Sequence, residues 1–151
     1  MKILVCVDGS EQSQKALNKA SIIAEGCNVD EVAIIHVNEG LPGLTSIRDI
    51  TGSPSQEDLD RFRKIQEEHK EYKRKILSEA MKMFENKNIK TRTIWKEGQP
   101  SNTIIKVGCG EEFDMIVIGR RGMSGLEKIF LGSVSSAVVQ EAKDCSVLTV
   151  S

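Results

Sequence analysis

Aromatic residues are scarce in this sequence: phenylalanine, tyrosine and tryptophan together make up 4% of its 151 residues. A core must therefore be packed from aliphatic side chains, and the 39% hydrophobic fraction is enough for one domain spanning residues 1–151. No apolar run approaches the ~20 residues that cross a bilayer. The N-terminal run "ILVCV" gives way to Asp8, too soon for the core of a secretory signal. A cytoplasmic protein that meets no membrane is the expectation. Charge of one sign is not in excess either. Lys and Arg number 21, Asp and Glu 22, and the formal net charge is −1, so no bulk positive field exists to hold a nucleic acid. Histidine is confined to His36 and His69, and the four cysteines (Cys6, Cys27, Cys109 and Cys145) show no paired spacing. Reduced thiols are expected, with no disulfide framework and no Cys/His metal site. A Gly-Lys-Ser/Thr triplet and a G-x-G-x-x-G stretch are both missing, which excludes the P-loop and the dinucleotide fingerprint.

What is present is a repeated alternation. Five short runs rich in Val, Ile or Thr have strand length: 2–7, 32–37, 90–95, 114–119 and 145–150. Helical spacing separates them. Residues 10–25 place Ala16, Leu17, Ala20, Ile23 and Ala24 three or four apart, with Ser10 as N-cap and Ser13 as the fallback. A long helix is expected over 55–86, with Pro54 in its first turn, and a run of that length overhangs a domain of this size. Its abundant charge reads as a solvated face. Helices over 100–110 and 133–143 complete the set, while 38–54 has the composition of a long loop. Such alternation specifies an α/β domain on a parallel sheet. "ILVCV" and "MIVI" are apolar on both faces, as central strands must be, whereas "TRTIW" and "CSVLTV" carry polar positions suited to edges. The doubly wound, Rossmann-like order 3-2-1-4-5 follows, with helices on both faces by the right-handed crossover rule. Ligands of such sheets bind where the winding reverses, here beyond the ends of strands 1 and 4.

Two loops converge there. "VDGS" brings Val7 and Asp8. "GRRGMSGLEKIFLGS" brings Gly119, Arg120, Arg121 and Gly122, then Gly132, Ser133, Val134 and Ser135 at the start of the last helix. A helix N-terminus presents unpaired N–H groups and partial positive charge to an anion. Gly132 has no Cβ to hold a phosphate away, the Ser133 and Ser135 hydroxyls are further donors, and Arg120, Arg121 and Lys128 supply charge. A glycine-rich βα loop also serves simply as a turn, with Ser133 as an ordinary N-cap, and Asp8 also suits a cap on the first helix. His36 reads as a packed strand residue and His69 as a solvated one.

The spacing Gly119-x2-Gly122-x9-Gly132-Ser133 resembles the nucleotide-binding signature of the universal stress protein family. The resemblance extends to "ILVCVDGSEQSQKAL", "HV" at 36–37, "EGQPSNTII", "DMIVIGRRG" and "VLTV", and so covers nearly the whole chain. It implies the family's five-stranded sheet and its ATP-binding branch. By that resemblance Asp8 lies at the ribose hydroxyls, the backbone of Val37 meets the adenine edge, Gly119 and Gly122 pass close to the ribose and phosphates, and Gly132, Ser133 and Ser135 hold the terminal phosphates with Mg²⁺ or Mn²⁺ on their oxygens. It implies a homodimer through the last strand (Val147, Leu148, Thr149 and Val150), an edge that physically needs cover. The family's Pro before that strand is replaced by Ser146.

Phosphoryl transfer needs a group that orients the nucleophile, and the nearest acid in the motif, Glu127, reads as a surface residue. No catalytic residue is therefore assigned. A nucleotide-dependent regulatory switch with slow or no hydrolysis is the favoured function, in which binding orders the 119–132 loop for an unidentified protein partner. A true ATPase or nucleotide hydrolase on the same scaffold, and a ligand-free dimeric adaptor using the 38–54 loop and the overhanging helix, are the alternatives.

Overall fold

The computed structural model of the protein describes residues 1–39, 55–85, 87, 89–121 and 131–151. Five parallel strands form one sheet: β1 (Lys2–Cys6), β2 (Glu31–Asn38), β3 (Lys90–Glu97), β4 (Met115–Gly119) and β5 (Ser146–Val150), in the order β3-β2-β1-β4-β5. Helices α1 (Glu11–Gly26), α2 (Gln56–Lys82), α3 (Pro100–Gly110) and α4 (Ser133–Glu141) connect them.

The period of two along a strand sorts the core into two layers. Ile3 and Val5 of β1 face a cluster with Ala16, Leu17 and Ala20 of α1 and Leu77 and Ala80 of α2. Leu4 and Cys6 face the other cluster, with Ile104 and Val107 of α3 and Val138 of α4. Ile3, Leu4 and Val5 are fully buried, and each contributes roughly 1.5–3 kcal/mol relative to an exposed side chain. β1 and β4 are central and β3 and β5 are edges, as their burial on two faces or one requires.

The helices start where their caps dictate. The Ser10 side chain accepts from Ser13 N–H. Ser55 and Asp58 form a reciprocal capping box at α2, and Gln99 caps α3 with Pro100 behind it. Pro54, expected in the first turn of α2, lies outside the described residues, as do 40–53 of the expected loop. The expected helix 55–86 ends instead at Lys82. From there the chain tightens into i→i−3 bonds, Met83 to Ala80 and Phe84 to Met81, a common way for a helix to close its last turn. That turn drops Phe84 into the α1/α2 layer at 1% exposure. In α2 the only buried residues are Lys73, Leu77 and Ala80, so its first four turns are exposed or only partly buried. The last helix is likewise shorter than the expected 133–143.

Candidate functional site

The winding reverses between β1 and β4, and at the carboxyl ends of these strands lies a cleft of about 470 Å³. Val7, Asp8, Val37, Gly119, Arg121, Gly132, Ser133, Val134 and Ser135 all line it. Arg120 is not among the lining residues. Its main chain instead ties three elements together: its N–H donates to Val150 O at 2.6 Å, and its carbonyl accepts from Gly132 N–H at 2.9 Å and from the Ser135 hydroxyl at 2.8 Å. Gly122, Glu127 and Lys128 lie outside the described residues.

Strand lengths open the cleft. β1 pairs with β2 only as far as Cys6 opposite Ile35, and Val7 N–H closes the ladder on Ile35 O at 2.9 Å. β2 runs on to Asn38 beside β3. Because Ile35 turns its carbonyl toward β1, strand alternation turns the N–H and C=O of Val37 to that same side, past the point where β1 has ended. Asn38 turns the other way and accepts from Gly98 N–H at 3.0 Å. Val37 therefore presents one donor and one acceptor of its main chain toward the cleft.

Across from it, α4 points its N-terminus at the cleft. Gly132 is the N-cap and makes no side-chain cap bond, so the first amides of α4 receive no help from a cap oxygen. Its φ of −64° and ψ of 161° are open to any residue. What glycine does here is keep space clear: an added Cβ would sit 3.3 Å from Arg121 Cα. Ser135 is 2% exposed, and its hydroxyl lies 2.8 Å from Arg120 O and 3.0 Å from Gly132 O. The hydrogen expected to face a ligand thus bonds backbone and fastens α4 to the exit of β4. Gly119 has a second task of the same kind. A Cβ there would meet Gln12 C at 2.8 Å and Gln12 O at 2.9 Å, so its missing side chain lets the first turn of α1 cross the end of β4.

Asp8 stands at the entrance to α1 without capping it. Its Oδ1 accepts from Ser10 N–H at 2.9 Å, which braces the true cap residue. Gly9, at φ +90°, sits under α2, where a Cβ would come within 2.7 Å of Ile76 Cδ1. The positive φ is what calls for glycine here, since the end of the Ile76 side chain can shift.

The model of the Universal stress protein family matches residues 1–151. The chain belongs to the universal stress protein family. Universal stress protein YxiE of Bacillus subtilis is 35% identical over 150 residues, 99% of this chain and 97% of its own length. Hypothetical protein MJ0577 shares the fold with a TM-score of 0.76 at 25% identity, over 99% of this chain and 94% of that one. The universal stress protein from Archaeoglobus fulgidus, solved in complex with dAMP, matches with a TM-score of 0.64 at 21% identity, over 100% of this chain and 98% of its own, a level that speaks to fold alone.

Among the lining residues of this universal stress protein that sequence reasoning did not single out for the site, two come from α2. His69 is half-buried and lines the cleft with Lys73, which corrects the expectation of a solvated His69. Lys73 is 5% exposed. Its Nζ donates to the carbonyl of Asp8. Burial lowers the Lys73 pKa below the usual lysine range, and the Asp8 charge opposes that shift. The signal was in the helix period: His69 and Lys73 precede Leu77 and Ala80 on one stripe, so they occupy inward positions despite their polarity. His36 faces the cleft as well. Its Nδ1 lies 2.9 Å from Val7 O. A carbonyl only accepts, so Nδ1 carries the hydrogen and the buried Nε2 is a lone-pair acceptor with no partner among the described residues. Burial holds the His36 pKa below its usual value, against the pull of Val7 O.

No helix among the described residues is long and apolar enough to cross a membrane. Among the same residues, no group of three or more His, Cys, Asp or Glu is placed to hold a metal ion.

Proposed function

We propose that the cleft binds an adenine nucleotide, ATP above others, and that the protein is a nucleotide-dependent regulatory switch of the family's ATP-binding branch. The observation that carries this is a pair of main-chain devices facing one cavity: the outward N–H and C=O of Val37, and the uncapped N-terminus of α4 at Gly132 and Ser133. The adenine edge offers an amino donor beside a ring acceptor, which complements the carbonyl and N–H of one extended residue. The α4 amides and the helix dipole suit phosphate. In this reading Asp8 receives the ribose hydroxyls, Val7 and Gly119 floor the cleft, and Arg121 with Ser133 to Ser135 meets the phosphates. Gly122 and Arg120 complete the same loop. Mg²⁺ or Mn²⁺ accompanies the phosphate oxygens, neutralising charge that the α4 amides alone leave. A fold neighbour, the universal stress protein from Archaeoglobus fulgidus, was solved in complex with dAMP, a ligand of the class proposed.

Hydrolysis is slow or absent in this reading. Of the acids and imidazoles that line the cleft, Asp8 is engaged through Oδ1 by Ser10 N–H and His36 through Nδ1 by Val7 O; Glu39 and His69 line it as well. A second copy pairs along the β5 edge, where Val147, Leu148 and Thr149 are half-exposed.

The test deletes one amide. Ser133 is the first residue of α4, where proline is tolerated, and Gly132 already has the extended ψ that precedes proline. Ser133→Pro therefore removes one N–H donor and the hydroxyl while keeping the helix. A charge-assisted bond of about 1.5–3 kcal/mol is lost, so ATP affinity by calorimetric titration falls on the order of 10- to 100-fold at an unchanged melting temperature. Undiminished affinity in the variant, or no heat with ATP, ADP or AMP in the parent protein, refutes the assignment.

A further inference from the structure

Two thiols meet at the opposite end of the sheet from the cleft. Cys109 lies in the last turn of α3 and Cys145 immediately before β5, and their sulfurs are 3.9 Å apart although the residues are 36 apart in sequence. Both are half-buried free thiols. The approach is built into the packing. α3 runs so close to β4 that a Cβ on Gly108 would come within 2.7 Å of Ile116 Cδ1. On the other side, Ser146 N–H donates to Asp114 O at 3.0 Å and fixes the lead-in to β5 beside β4. The sulfurs must close from 3.9 Å to a bond of ~2.05 Å, a change of the size that rotation about Cα–Cβ produces. Cys27 is exposed and distant in sequence from the other three, and Cys6 is buried.

We propose that Cys109 and Cys145 are a modification site: a thiol pair that a low-molecular-weight disulfide, such as oxidised glutathione, converts to an intramolecular disulfide. The Cys109 thiolate attacks one sulfur of the glutathione disulfide. The S–S bond breaks and the first glutathione leaves as a thiolate that takes up a proton. Cys145 gives its proton to water and attacks Cys109 Sγ in the mixed disulfide, expelling the second glutathione, which is protonated in turn. Two protein thiols are oxidised by two electrons, and one glutathione disulfide is reduced to two glutathiones. The order of attack follows from the surroundings. Burial, and after it the Cys109 thiol itself, push the Cys145 thiol up to about 11, so Cys145 is the poorer first nucleophile. Once Cys109 is joined to glutathione, its hydrogen bond and its charge no longer oppose ionisation of Cys145. The product staples the end of α3 to the start of β5 and leaves the cleft untouched, so it forms whether or not a nucleotide is bound.

The experiment uses the full chain with Cys27→Ser, which removes the exposed thiol and leaves three of the four cysteines. After incubation with oxidised glutathione and alkylation, non-reducing peptide mapping is expected to show a Cys109–Cys145 cystine peptide. The thiol titre falls from three to one and dithiothreitol restores it. Adding Cys145→Ser is expected to trap Cys109 as its glutathione adduct. Recovery of Cys109 and Cys145 both alkylated, or of a Cys109 adduct that persists with Cys145 present, overturns the proposal.

Discussion

Gly119→Ala tests whether the cleft floor is built as described. The added methyl would lie 2.8 Å from Gln12 C and 2.9 Å from Gln12 O, whereas non-bonded carbons prefer roughly 3.5–4.0 Å. The opposing atoms are backbone, so no side chain can swing away, and either β4 or the first turn of α1 must retreat by a few tenths of an ångström or more. α1 resists, because Ser10 caps it and Ala16 and Leu17 are buried one turn on. Overpacking of this kind costs about 1–3 kcal/mol. Contact with rigid backbone places the cost in the upper half of that range, about 2–3 kcal/mol; loss of glycine's freedom in the unfolded chain returns about 0.4–1 kcal/mol, leaving a net loss of roughly 1–2.6 kcal/mol and a melting temperature lower by about 2–10 °C. Gly26→Ala is the internal control: nothing lies within 4 Å of its added Cβ, and alanine in a helix is favoured by up to about 1 kcal/mol. Urea unfolding monitored by circular dichroism should move the two midpoints in opposite directions. A Gly119→Ala protein as stable as its parent would show that α1 does not cross the end of β4 at this point.

Two further outcomes follow from titratable groups. Glu31 is 8% exposed and bonded to Arg92, which also reaches Glu111. The Arg92 hydrogen bond, against the cost of burial, holds the Glu31 carboxyl below its usual value. The stability this contributes is present above the unfolded carboxyl pKa of about 4.3 and is lost as pH falls through the folded value. Glu31→Gln should therefore flatten the fall of the urea midpoint below about pH 5, and an unaltered slope would discount the pair. His36 is held below its usual pKa chiefly by burial, so below about pH 6.5 the unfolded chain takes up a proton that the folded one declines, and stability drops with acidification. Nitrogen-15 shifts of the His36 ring should report the Nδ1–H tautomer and a titration midpoint below 6.5, and a higher midpoint would contradict its placement.

The fold was legible because its signals are local. "ILVCV" and "MIVI" are apolar at consecutive positions, and only a strand covered on both faces tolerates that. Ser10 announces its helix by its own side chain, and the crossover rule then leaves little choice of order. The cleft was legible in part for the same reason, since Val7, Asp8 and Ser133 sit at strand and helix ends whose positions the topology fixes. Lys73, His69 and the task of Ser135 were not. Whether a lysine in a charged helix is solvated depends on where that helix lies in three dimensions, and the dense Glu and Lys of α2 masked the stripe that runs through His69, Lys73 and Leu77. The boundary of α2 was missed on similar grounds. Phe84 continues the periodicity, yet it is buried by a tightened turn that periodicity cannot see.

The proposed recognition by the Val37 edge and the α4 amides has a consequence for how the cleft fails. The Val37 edge exists because β2 outruns β1, and the α4 amides point inward because Ser135 and the Gly132 N–H tie that helix to Arg120 O. Changing a lining side chain alters the walls but leaves these donors and acceptors in place. Changes that shift a backbone, or delete an amide, act on the proposed recognition itself. Two glycines illustrate the difference. Gly119 is needed by α1 before any ligand arrives, so its loss registers as instability. Gly132, in a conformation open to every residue, is needed only to keep a Cβ out of a confined space. Under the proposed function, a site of this construction separates stability from affinity, with Gly119 governing the first and the Ser133 amide the second.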